Sequence, residues 1–217
     1  MFKNLSIKSR LTFVIGLLSV LLVGIGLFGL IGMSKANDGL KTVYEDRTIP
    51  MGQLDTILRL LNNNRINLLE AIVNPTPAVI ANRIESTTQN AAEITKTWDA
   101  YMATYLTPEE KKLASTFAEA RGKFVTDGLK VSIAMLKDGK INEAKQYYEH
   151  KVVDLFSPVR DGADALIKLQ LDVAKQEYDQ AQSRYTTIRN VSVTVIVLGL
   201  LLAAWTDWVL IRAIVRP

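Results

Sequence analysis

The sequence predicts an all-α protein, an antiparallel up-down four-helix bundle flanked by two transmembrane helices. Two long uncharged apolar segments stand near the ends of the chain. The residues between them repeat at helical spacing, without sustained strand alternation. Clusters of Pro, Gly and Asn divide this middle into lengths suited to bundle helices.

The first apolar segment, residues 11–33, carries no charge from Leu11 to Met33. At 1.5 Å per residue it reaches roughly 34 Å, enough to cross a hydrocarbon layer of about 30 Å. Its apolar run exceeds that of a cleaved signal peptide and no Ala-x-Ala site follows it, so an uncleaved anchor is expected. The second segment, residues 191–211, is uncharged from Val191 to Thr206. It then places Asp207 between Trp205 and Trp208. Indole rings favour the headgroup boundary, so Asp207 reads as interfacial and not as a proton relay.

Cations set the expected orientation. Lys3, Lys8 and Arg10 precede the first span, and Arg212 and Arg216 follow the second. Short flanks rich in Lys and Arg stay cytoplasmic, which puts residues 1–10 and 212–217 inside and residues 34–190 outside. Of 26 basic and 22 acidic residues, setting aside these five cations and Asp207 leaves 21 of each. The exported part is neutral and the pI near 9.2 comes from the flanks, so no nucleic-acid partner is expected. The chain has no cysteine, and its exported domain must be stable through burial alone.

Within that domain the breakers mark the helices in order. A first helix continues from the membrane to about Val73, with a kink or restart at Pro50. Asn74-Pro75-Thr76-Pro77 then supplies a turn, an N-cap at Thr76 and a proline at the first helical position. The second helix runs to about Leu106. Thr107-Pro108-Glu109-Glu110 repeats the arrangement with a capping box between Thr107 and Glu110. The third ends at Lys137-Asp138-Gly139-Lys140, where Gly139 suits a left-handed position. The last begins near Ile141, is interrupted at Ser157-Pro158, and then has no breaker before the second span. Short connections between helices of this length fit an up-down bundle.

Two stripes support packed helices. In the last helix Ile167, Leu171, Ala174, Tyr178, Ala181, Tyr185 and Ile188 alternate spacings of four and three. In the first, Met51, Leu54, Leu58, Leu61, position 65, Leu68 and Ile72 do the same, and position 65 is an arginine. An unpaired guanidinium on an apolar seam costs several kcal/mol, so Arg65 must find anions or acceptors. Asn62, Asn63, Asn64 and Asn67 surround it. One reading pairs Arg65 internally with Glu70 or makes it part of a polar layer that fixes register. The other makes Arg65, with Asn64 and Asn67, a site for a small anion, since a guanidinium matches a carboxylate.

Arg160 is a second candidate. A helix restart at Ser157-Pro158 would expose backbone N–H groups that favour anions, with Ser157 capping or donating to a ligand. His150 is the sole histidine and reads as a solvated surface residue, and the tyrosines read as packing. No nucleophile–base pair, phosphate loop or metal-ligand cluster appears, so no enzyme activity, metal or cofactor is expected.

Three stretches carry a family resemblance. Val43-Tyr44-Glu45-Asp46-Arg47-Thr48-Ile49-Pro50 with Gln53-Leu54, Phe156-Ser157-Pro158-Val159-Arg160-Asp161, and Arg212-Ala213-Ile214-Val215-Arg216-Pro217 resemble the sensor region of bacterial methyl-accepting chemotaxis proteins. The last of them is similar to the start of a HAMP linker. The resemblance implies an inner-membrane receptor with a periplasmic sensor domain that acts as a homodimer. Its ligand would sit between subunits, held by first-helix arginines and the start of the fourth helix. It also implies a cytoplasmic histidine kinase and adaptor, reached through sequence beyond Pro217, and a small sliding of the fourth helix as the signal. Arg65-Ile66-Asn67-Leu68 resembles the arginine motif of the aspartate receptor, whose further arginines fall where this chain has Glu70 and Asn74. A negative charge replaces a positive one there, which argues against aspartate itself; a different small carboxylate is the first expectation, with an aromatic acid or a protein-borne ligand as alternatives. A histidine-kinase or diguanylate-cyclase sensor and a ligand-free structural bundle remain as alternatives at this point.

Overall fold

The structure, a computed structural model, describes residues 7–215, and among them no strand occurs. Lys3, Arg216 and Pro217 lie outside the described residues. The helices are α1 (Ile7–Val43), α2 (Ile49–Val73), α3 (Pro77–Met102), α4 (Pro108–Lys123), α5 (Val131–Lys137), α6 (Ile141–Tyr147) and α7 (Val153–Val215). Three π turns, Tyr44–Thr48, Phe124–Lys130 and Tyr148–Val152, join α1 to α2, α4 to α5 and α6 to α7. The chain forms two compact units, one of residues 42–175 and one of residues 1–41 with 176–217.

The first unit is the bundle. Thr76 caps α3, its hydroxyl accepting from Val79 N–H at 3.3 Å, and Pro77 takes the first helical position. Thr107 caps α4 in the same way, accepting from Glu110 N–H at 3.2 Å, with Pro108 next in line. Gly139 has a φ of +73° and ends α5 in a Schellman turn: Lys140 N–H bonds the Met135 carbonyl at 2.9 Å and Gly139 N–H that of Leu136 at 3.2 Å. These are the expected turns.

Two elements differ from expectation. No helix restart occurs at Ser157-Pro158, because α7 runs through Pro158 without a break. The backbone disturbance lies upstream, in the Tyr148–Val152 π turn. Pro50 is similar: it stands in the first turn of α2, directly after the Tyr44–Thr48 π turn. A proline removes an N–H and crowds the carbonyl four residues earlier; for Pro50 that is Asp46, inside its π turn, which can absorb the conflict, whereas for Pro158 it is Asp154, already in α7. The core stripe of the last helix also falls elsewhere. Val152, Phe156, Val159, Ala163, Leu166 and Gln170 are the buried residues, whereas Leu171, Tyr178 and Tyr185 on the expected seam are exposed. On the first helix the expected seam holds, with Leu54, Leu61, Leu68 and Ile72 buried.

Aromatic rings fill the core in tiers. Trp98 lies 5.3 Å from both Tyr101 and Phe117, and Phe124 meets Phe156 edge-on at 5.3 Å. Each such ring, fully removed from water, contributes about 1.5–3 kcal/mol. Gly162 lies against Phe117, where a Cβ would come within 3.4 Å of the Phe117 backbone.

In the second unit, α1 and α7 lie side by side. Ile188 approaches Gly32 so closely that a Cβ there would stand 2.7 Å from its methyl group. Helices α1 and α7 each contain an 18-residue window long and apolar enough to cross a membrane, with none of that window buried in protein. Such windows on a soluble core helix would be covered by neighbouring side chains. The Arg212 guanidinium lies 4.0 Å over the Trp208 ring, beside Asp207.

Candidate functional site

Arg65 lies on α2, half-buried, with its guanidinium 4.6 Å over the ring of Phe156 on α7. Its Nε is buried without a partner, and the side chain makes no hydrogen bond or ion pair with any described residue. The Glu70 carboxylate is engaged elsewhere, 2.8 Å from Arg83 of α3. A cation–π contact is worth about 0.5–2 kcal/mol, but it leaves the planar donor fork unused. Arg65 therefore retains the capacity to bind a carboxylate.

The amides beside it have partners on α3. Buried Asn64 accepts through Oδ1 from Asn90 at 2.8 Å, and its own Nδ2 is buried and unpartnered. Asn67 donates from Nδ2 to the hydroxyls of Ser86 at 3.2 Å and Thr87 at 3.3 Å. Asn67 thus faces the α2–α3 contact, while Arg65 faces α7.

Ser157 and Arg160 are exposed and both bond Asp161: the Ser157 hydroxyl at 3.4 Å, the Arg160 Nε and Nη2 at 3.3 and 3.2 Å. With α7 unbroken, no free N–H groups are presented there. The structure brings Arg65 to Phe156, next to Ser157 in sequence, but shows no bond among Arg65, Ser157 and Arg160.

One turn beyond Arg65 on α2, Leu69, Ile72 and Val73 form one wall of a cleft of about 380 Å³. Lys145, Tyr148 and Glu149 form the other. The volume suits a small molecule. It combines an apolar side with a cation, a phenol and a carboxylate. The outward face of α2 at this height carries Ile66, Leu69 and Val73, exposed by 42, 41 and 75%.

Sequence reasoning missed a buried polar layer at the other end of the bundle. Arg47, Glu110 and Gln170 are 4, 0 and 0% exposed. Arg47 Nη1 donates to Glu110 Oε2 at 3.3 Å and to Gln170 Oε1 at 3.1 Å. The Tyr101 hydroxyl donates to Glu110 Oε1 at 2.8 Å, and Gln170 Nε2 donates to the same oxygen. Arg47 comes from the π turn before α2, Tyr101 from the end of α3, Glu110 from the first turn of α4 and Gln170 from α7, so the layer ties all four bundle helices together. Burial pushes the Tyr101 hydroxyl pKa up, and the bonded Glu110 carboxylate pushes it further. The expected capping box is half formed, since Glu110 N–H bonds Thr107 while its carboxylate enters this layer. A signal for it existed. Gln170 continues the spacing of Phe156, Val159, Ala163 and Leu166, a polar residue on a seam just as Arg65 is.

Comparison with known proteins fits this architecture. The family profile described as a four helix bundle sensory module for signal transduction matches residues 4–185. The methyl-accepting chemotaxis protein NahY of Pseudomonas putida is 24% identical over 222 aligned positions, which cover 99% of this chain and 40% of that protein. The chain thus spans well under half the length of that relative. No solved structure matches it. With most of its length matched, the chain belongs to the family of four-helix-bundle sensory modules for signal transduction.

Proposed function

We propose that this chain is the sensory part of a transmembrane chemoreceptor. It binds a small periplasmic carboxylate where two copies meet and relays binding along α7 and the second membrane span to a cytoplasmic signalling domain. It binds and transmits, and it catalyses nothing. The observation that carries the reading is Arg65, a seam arginine held over Phe156 with none of its donors engaged. Of its nitrogens only Nε is buried without a partner, so the two Nη groups are open to solvent and free to take up a carboxylate.

Further features support the reading. The exposed apolar face Ile66, Leu69, Val73 on α2 offers a second copy something to bury, as do Leu171 and Tyr178 on α7. Ile66 and Leu69 flank Arg65 on the same helix, so a copy seated there would help enclose its site. The cleft with Lys145, Tyr148 and Glu149 gives a ligand room beyond the carboxylate. The five flanking cations support a topology with both termini in the cytosol and the sensor in the periplasm of an inner-membrane protein. A relative that is a methyl-accepting chemotaxis protein favours a chemotaxis output, through a kinase and adaptor, over other sensor outputs.

A thermal-shift screen of small mono- and dicarboxylates against a soluble fragment spanning residues 42–175 tests this. A ligand at 100 times its Kd stabilises by about 2.7 kcal/mol, a shift of several degrees. No shift with any carboxylate, but one with a neutral or cationic compound, would reject the carboxylate assignment.

A further inference from the structure

The buried layer has a position that matters for α7. Arg47 and Gln170 lie five residues inside the two ends of the compact unit Thr42–Lys175, where the chain enters and leaves the bundle. From Gln170 onward α7 continues as helix without an internal proline to Val215. Gln170 is the last buried residue of α7 within this unit, so its bonds help to fix where α7 stands along its axis against the bundle.

Gln170 uses both ends of its amide, accepting from Arg47 at 3.1 Å and donating to Glu110. Contacts of this length tolerate only a short slide. A 3.1 Å bond lying across the axis stretches to about 3.4 Å when one partner moves about 1.5 Å, and is gone by about 3 Å of travel. A full-turn shift fares worse. It would bring Leu166 or Ala174, one turn either way along α7, opposite the Arg47–Glu110 pair in place of an amide. The buried guanidinium and carboxylate would still pair with each other, but each would lose the bond that Gln170 supplies.

We propose that Gln170 is a positioning residue, and that the Arg47–Tyr101–Glu110–Gln170 layer is a register lock that fixes α7 along its axis against α4 and allows travel of only 1–2 Å. The lock follows from the bundle geometry. Its consequence, that the layer sets the resting output, rests on the receptor reading.

The test measures helix position, which loss of stability alone does not move. The chain has no cysteine, so labels can be placed without background. Lys112 on α4 and Asp154 on α7 are both exposed. Gly162 packs on Phe117, and Glu110 pairs with Gln170, so the two positions lie on opposite sides of the Phe117 level, and axial travel changes their separation. Spin labels at Lys112→Cys and Asp154→Cys, in the full-length protein in lipid nanodiscs diluted with unlabelled protein, should give one narrow distance. Gln170→Met should shift or broaden it by about 2 Å or more. Gln170→Asn, which keeps an amide one methylene too short, should do the same and serves if the Met variant fails to fold. Tyr101→Phe, which loses a bond of the layer but none to α7, should keep the native distance. An unchanged distance in the folded Gln170 variants overturns the lock and leaves the receptor reading intact. An equal shift in Tyr101→Phe also overturns it, showing general loosening.

Discussion

Glu110 is where the bundle should be most sensitive to a single change. Its carboxylate is fully buried and takes bonds from Arg47, Tyr101 and Gln170. Glu110→Ala leaves a buried guanidinium with Gln170 alone and strands a phenol and an amide. Removing one member of a buried ion pair costs about 3–5 kcal/mol. For a compact unit running from Thr42 to Lys175, each kcal/mol moves Tm by about 3–5 °C, so Tm should fall by roughly 10–25 °C. Urea and thermal unfolding of the fragment spanning residues 42–175, followed by far-UV dichroism, measure this. Glu110→Gln, which still accepts from Tyr101, should lose less. Replacing both charges, Arg47→Met with Glu110→Leu, should recover much of the loss, because no buried charge is left unpaired. A Glu110→Ala loss under about 1 kcal/mol, or a double variant no better than the single, would refute the argument.

Tyr101 predicts an alkaline effect. Its folded-state pKa is raised above the unfolded value of 10, so its contribution is complete below pH 10 and is lost as pH climbs through the raised value. The loss is at most about 1.4 kcal/mol per pH unit. Tyr101→Phe should therefore be less stable at pH 7 but fall less steeply than the native protein above pH 10, as read by urea unfolding at several pH values. Gly139→Ala should cost about 1 kcal/mol: its φ of +73° strains an alanine, and no atom lies within 4 Å to clash. A loss near zero in urea unfolding would show that the turn relaxes.

The turns were the most legible part of the fold. Thr76-Pro77, Thr107-Pro108 and Gly139 act through local chemistry, hydroxyl caps and a left-handed backbone, which a sequence displays directly. Pro158 misled because a proline removes one bond but does not by itself end a helix whose packing holds it. Here Phe156, Val159 and Ala163 are buried on either side of it. The last stripe misled because α7 carries two apolar seams one position apart, one closed in the core and one only partly covered, and spacing alone does not say which faces inward. The polar layer joins residues 63 and 123 positions apart. Arg47 and Glu110 each look like ordinary surface charges until the bundle brings them together. Arg65 stood out because its neighbours on the same helix define its face. The sequence does not show that Glu70 pairs with Arg83 and that Phe156 lies under Arg65, since both depend on neighbouring helices.

The most direct test of the account is the affinity of Arg65 variants for a carboxylate found in the thermal-shift screen, measured by calorimetric titration. If Arg65 holds the ligand, Arg65→Ala should weaken binding by about 30-fold to several thousand-fold, the equivalent of about 2–5 kcal/mol. Arg65→Lys should fail nearly as badly, since a point charge does not reproduce the bidentate fork. Both variants should stay folded, because the arginine has no carboxylate partner among the described residues to abandon. Unchanged affinity in Arg65→Ala would contradict the ligand-site reading.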